Sequence, residues 1–182
     1  MDQLAQALWQ QFGAAIDTLG NAIEECPESL WSESLWPYPP DVDWPSGLSE
    51  FWYLAYHTMF WIDLYLFGTG EGFVPRPPFT DDELVPEGKI PEKPFSKTEL
   101  LEYVTYIRQK CESRLASLAE ADALRPCSFP WTRGKAVTYY ELQLYNLRHV
   151  QEHAAQLNMF LGQRQHGEAP GWVARADHNA RR

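Results

Sequence analysis

An all-α fold built on four helices is what this sequence predicts. Three observations carry it: four runs of apolar residues spaced three and four apart, start and stop residues that bracket those runs, and no convincing strand alternation. The first run, Leu4, Leu8, Phe12, Ile16, Leu19 and Ile23, predicts a helix of about 22 residues that ends near Pro27. Residues 27 to 45 then carry Pro37, Pro39, Pro40 and Pro45 between Trp31, Trp36, Tyr38 and Trp44. Proline breaks the helix there, and the aromatics give the loop surface to bury, so it should be ordered.

Ser46 or Ser49 can cap a second helix running to about Phe67, with Gly68 as its stop. One face reads Tyr53, Leu54, His57, Phe60, Trp61 and Leu64. The opposite face, with Trp52, Tyr56, Met59 and Leu66, is also apolar, so this helix should be buried on two sides, with a partner subunit as one candidate cover for the second. The segment is too short, and too polar at His57 and Asp63, to be a membrane span. From Thr69 to Phe95 come six prolines and the acidic patch Asp81-Asp82-Glu83, with no usable period; this reads as a packing loop over the bundle, or as a lid or binding loop.

Ser96 and Glu99 form a capping box for a third helix, inward through Leu101, Val104, Ile107 or Arg108, Cys111, Leu115 and Leu118, and ending near Ala121. Thr138 and Glu141 form a second box, opening a fourth helix that should stop at Gly162. The domain therefore spans residues 1–162, with insertions at 27–45 and 69–95. The aperiodic tail 163–182 should be loosely packed.

The composition narrows function. Fifteen basic against 25 acidic side chains give a formal charge of -10, which repels nucleic-acid backbones and anionic lipid, so neither nucleic acid nor membrane is expected as partner. Cys26, Cys111 and Cys127, odd in number and without a C-x-x-C pair, suit reduced thiols in the cytoplasm. The start, Met1-Asp2-Gln3-Leu4, lacks the basic segment of a signal peptide.

The chemistry lies in the histidines. On the fourth helix the inward stripe is Leu142, Tyr145 or Asn146, His149, His153, Gln156 or Leu157, and Phe160, so His149 and His153 stack one turn apart. At about 1.5 Å per residue, His57 sits roughly 16 Å along its helix and the pair roughly 16 to 23 Å along theirs, near one level. Three imidazoles converging there would hold Zn²⁺, Ni²⁺ or Fe²⁺ and leave coordination positions open, the arrangement of a catalytic rather than a structural ion. His166 and His178, in the tail, should be solvated. His149-Val150-Gln151-Glu152-His153 also fits the H-x-x-E-H peptidase signature, but that reading needs a downstream acidic ligand on another helix, and only Glu168 and Asp177 follow.

Ala55-Tyr56-His57-Thr58 and the run His149-Val150-Gln151-Glu152-His153-Ala154-Ala155-Gln156-Leu157-Asn158 resemble the DinB-like (YfiT-type) four-helix metalloprotein superfamily over about residues 1 to 162. The resemblance implies an up-down-down-up bundle, a long second crossover, a frequent homodimer, and His57, His149 and His153 as ligands of one divalent metal. Characterised members include thiol-dependent transferases and isomerases. The expectation is accordingly a metal-dependent enzyme, a thiol-dependent S-transferase or a related activity such as a hydrolase, acting on a small molecule with a low-molecular-weight thiol as partner. Glu152 and Tyr53 are the candidate catalytic residues beside the ligands. The two proline-rich insertions depart from the simplest members and would reshape the pocket mouth. A non-catalytic, stress-related metal-binding protein would use the same ligands, and a purely structural helical dimer would use none.

Overall fold

The computed structural model describes residues 3–37, 45–85 and 89–176. Tyr38, Pro39, Pro40, Trp44 and His178 lie outside the described residues. The described protein is mostly helical: α1 is Gln3–Glu25, α2 Phe51–Phe67, α3 Lys97–Ala116, α4 Glu120–Leu124 and α5 Tyr139–Arg164. Two short antiparallel strands, β1 Pro126–Cys127 and β2 Val137–Thr138, precede α5. No described helix is long and apolar enough to cross a membrane.

α1 packs on α3 and α5, α2 packs on the same two helices, and α1 and α2 barely touch. Their directions follow from side-chain partners. Asp17 of α1 receives Nε of Arg108 at 2.7 Å and Nη2 at 3.2 Å, whereas Lys97, at the start of α3, reaches the carbonyls of Glu24 and Cys26 at the end of α1. Along α2 and α5 the pairing runs Phe51 with Phe160, His57 with His149, and Leu66 with Tyr139. Both pairs of helices are therefore antiparallel.

The core explains why α2 carries almost no polar residue. Fourteen of its 17 residues are buried, and each large apolar side chain withdrawn from water contributes about 1.5–3 kcal/mol. Its second side is covered by the chain itself: Phe95 and Phe79 lie against Tyr56, and Phe73 against Phe60. Burial of that face needs no partner subunit. Asp63, 1% exposed, is the buried charged exception; it pairs with Lys110 and accepts from the Tyr103 hydroxyl at 2.9 Å.

A helix whose end is buried must find partners for its last four carbonyls. On α2 these are all met: Leu64 by the Gly68 amide, Tyr65 by Gln143, Leu66 by the Tyr139 hydroxyl and Phe67 by Arg125. Gly68 closes the helix in the left-handed region at φ 92°, as the sequence predicts.

Other boundaries move. Neither Ser46 nor Ser49 caps α2, because a short 3-10 turn, Ser46–Ser49, precedes it and Glu50 takes the cap position without a side-chain cap bond. Ser96 and Glu99 do form a complete capping box, whereas at α5 only Thr138 accepts, from the Glu141 amide. α3 stops at Ala116, short of Ala121, and α4 follows. Gly162 does not stop α5, which runs on to Arg164. The turn comes at His166 and Gly167, both with positive φ, while Gly162 leaves room for Ala169. The tail also docks more closely than its composition suggests. The Ala176 amide donates to the Gln10 carbonyl at 2.9 Å, and Ala176 packs on Gly13, where a Cβ would come within 2.6 Å. Trp172, the one large apolar residue there, is 69% exposed.

Candidate metal centre

Antiparallel packing sets the level of the histidines. His57 lies ten residues before the end of α2, and His149 lies ten residues into α5, about 15 Å from the joined ends in each case. The structure brings His57, His149 and His153 together, with one ligand atom from each lying within 4.8 Å of the others. Nε2 of His57 and Nε2 of His149 are 3.4 Å apart. Ligands about 2.0–2.1 Å from a tetrahedral ion sit about 3.3 Å from one another, so this pair already has the spacing, and the widest separation exceeds it by at most about 1.5 Å.

Two of the rings are aimed by acceptors. Oε2 of Glu83 lies 2.8 Å from Nδ1 of His57, and Oε1 of Gln156 lies 2.7 Å from Nδ1 of His153. A carboxylate and an amide oxygen can only accept, so each Nδ1 carries the proton and the Nε2 lone pair is left for a ligand role. Nδ1 of His149 is buried without a partner.

Burial, then the neighbouring His57 and His153, pulls the His149 ring down to a pKa of about 2. His153 is lowered as well, chiefly by burial; its bond to Gln156 works the other way. Both rings are thus held neutral, the form that binds an ion. Burial alone would raise the Glu83 carboxyl, but His57 first, and then Tyr53 and Trp61, donate to it and together hold it below the usual carboxylate range. Glu83 is therefore ionised, and its charge sits against the ring of His57. The donor set, imidazole nitrogens from two helices with two of them aimed from behind, fits a borderline divalent ion.

Of the candidate catalytic residues, Tyr53 is buried, packs 6.3 Å from the His57 ring and donates to Glu83. Glu152 is exposed on α5 and reaches His153 only through space. The H-x-x-E-H arrangement, which needs that glutamate beside the ion, gains nothing from this placement. His166 is exposed, as expected for the tail. Three contributors escape sequence reasoning. Trp61 donates its indole N–H to Glu83 at 2.9 Å; Gln156 follows His153 by three residues, a spacing that should have suggested the contact; Glu83 was marked only by the acidic patch in the second insertion.

A mostly helical protein with three histidines grouped so that they could hold a metal ion is the class that fold and site define. The chain belongs to the DinB superfamily, whose family model matches residues 5–157. Comparison with curated proteins finds no match.

Proposed function

We propose that this chain is a divalent-metal-dependent enzyme whose ion, Zn²⁺, Ni²⁺ or Fe²⁺, is held by His57, His149 and His153, and that it catalyses a thiol-dependent group transfer. The observation that carries the reading is the convergence of the three rings with Nδ1 of His57 and of His153 tied to acceptors, which leaves the ligand lone pairs facing one point. An ion bound by three protein ligands keeps positions open and supplies Lewis acidity, which lowers the pKa of a thiol or water placed there. The chain's own part is to hold neutral rings in place, to aim them through Glu83 and Gln156, and to wall the site with Tyr53 and Trp61.

The opposed order of contacts in α1 with α3 and α2 with α5 supports an up-down-down-up bundle. The three cysteines, all free and buried, suit the cytoplasm.

The test is a panel of low-molecular-weight thiols and electrophiles with metal-loaded protein. Turnover with one pair, abolished in His149→Ala while the helical signal persists, is the expected result. Metal binding without turnover on any pair would leave a non-catalytic metal-binding protein, and the enzymatic reading would be abandoned.

A further inference from the structure

The connection between α2 and α3 sends one carboxylate into the protein where packing alone would put an apolar group. The Glu83 side chain is 4% exposed. Its Oε2 serves Nδ1 of His57 and the Trp61 indole, the Tyr53 hydroxyl also donates to the carboxylate, and Oε1 is buried with no partner. A buried, ionised carboxylate with one oxygen unserved is unfavourable unless the bonds it makes are strong. The adjoining Leu84 and Val85 are 38% and 39% exposed, so the short turn Asp82–Leu84 has no deep apolar anchor of its own. Its rigidity is local: Thr80 donates to Asp82 at 2.7 Å, Lys89 donates to Asp82 at 2.8 Å, and the Leu84 amide donates to the Asp81 carbonyl. Just before the turn, Phe79 stacks on Tyr103 with centroids 4.2 Å apart, and Tyr56 donates to the Thr80 carbonyl. Beyond those contacts, among the described residues it is Glu83 that ties the turn to the helices, through His57 and Trp61 of α2.

That hold falls on the back of a ligand ring. An ion held by Nε2 of His57 would withdraw charge from the imidazole and make its Nδ1–H a stronger donor, and an ionised acceptor at Nδ1 makes Nε2 a better ligand. We propose that Glu83 is a positioning residue of the metal centre, and that through it ion binding and docking of the turn at residues 81–85 form one coupled equilibrium. The connection is then more than cover: it reports whether the site is loaded. Reciprocity requires that the factor by which the docked turn tightens ion binding equals the factor by which the ion favours docking. This inference rests on the metal-centre reading above.

The test uses the full chain and Zn²⁺ as probe, with affinity read by competition against a chromophoric chelator and amide hydrogen exchange followed at residues 80–85. Glu83→Gln keeps the volume and removes the charge, and should weaken Zn²⁺ binding by about 10- to 100-fold. In the wild type, Zn²⁺ should slow exchange at 80–85; in Glu83→Gln that slowing should be lost while exchange in α1 and α3 is unchanged, a pattern that general destabilisation does not give. Glu83→Asp, which retains the charge on a shorter arm, should fall between the two in affinity and serves if Glu83→Gln does not fold. Wild-type affinity in both variants, or zinc-dependent protection that survives in Glu83→Gln, overturns the coupling and leaves the metal centre standing. Failure of the wild type to bind Zn²⁺, Ni²⁺ or Fe²⁺ removes both.

Discussion

Replacing His149 by glutamine should flatten the acid side of the stability profile of the metal-free protein. Burial, with His57 and His153 adding to it, holds the folded ring at a pKa of about 2, against about 6.5 for an unperturbed histidine. The sign follows from proton uptake. Below about pH 6.5 the unfolded chain gains a proton on this ring that the folded chain refuses, so stability falls as pH falls through that window and is independent of this group above it. Each pH unit costs about 1.4 kcal/mol, so between about pH 6.5 and 4.5 the wild type should lose about 2–3 kcal/mol from this ring alone. Urea denaturation of chelator-treated wild type and His149→Gln at pH 7.5, 6, 5 and 4.5 reads the effect. The carboxylates and the other histidines are common to both proteins, so the difference between the two profiles reports the ring at position 149 together with its coupling to His57 and His153. Profiles that stay parallel within about 0.5 kcal/mol would show that the ring is not held neutral by its surroundings, and the account of a preformed neutral ligand would fail.

Three further expectations concern the frame that positions the site. Lys110→Met leaves buried Asp63 with Tyr103 as its remaining donor and should cost about 3–5 kcal/mol; a melting temperature within a degree of wild type would refute the importance of that pair. Ser96→Ala removes one half of the capping box at α3 and should lower the urea-derived stability by about 1 kcal/mol, whereas an unchanged urea midpoint would show that the cap is dispensable. Gly68→Ala puts a Cβ on a residue with φ 92° and within 2.4 Å of Nη2 of Arg125, so it should destabilise by at least about 1 kcal/mol in chemical denaturation, and a neutral result would contradict the strained turn.

The helices and the three histidines were legible because periodicity and cap chemistry are local. Leu8, Phe12, Ile16 and Leu19 are all buried where their spacing placed them. The level of the histidines survived an error in the start of α2, because antiparallel packing measures His57 from the end of that helix, which Gly68 marks, and not from its start. Glu83 was not legible, since its place depends on how a period-free connection folds back, which is decided by Phe79 and Phe95 finding Tyr56 and not by any local pattern. The docked tail was hidden for a similar reason. It is held by backbone amides that donate to the Gln10 carbonyl and the Thr18 hydroxyl and by small-residue contact at Gly13, none of which leaves a hydrophobic signature. Gly162 misled because a glycine inside a helix can serve close packing, here against Ala169, as readily as termination.

X-ray absorption on the purified, metal-loaded protein without a histidine tag tests the central claim most directly, because it counts and identifies the atoms around the ion. The expected spectrum has three imidazole nitrogens at about 2.0–2.1 Å with the multiple-scattering pattern of the rings, and one imidazole fewer in His153→Ala. A shell of oxygens alone, or less than about a tenth of an equivalent of any transition metal retained at neutral pH after loading, would contradict it.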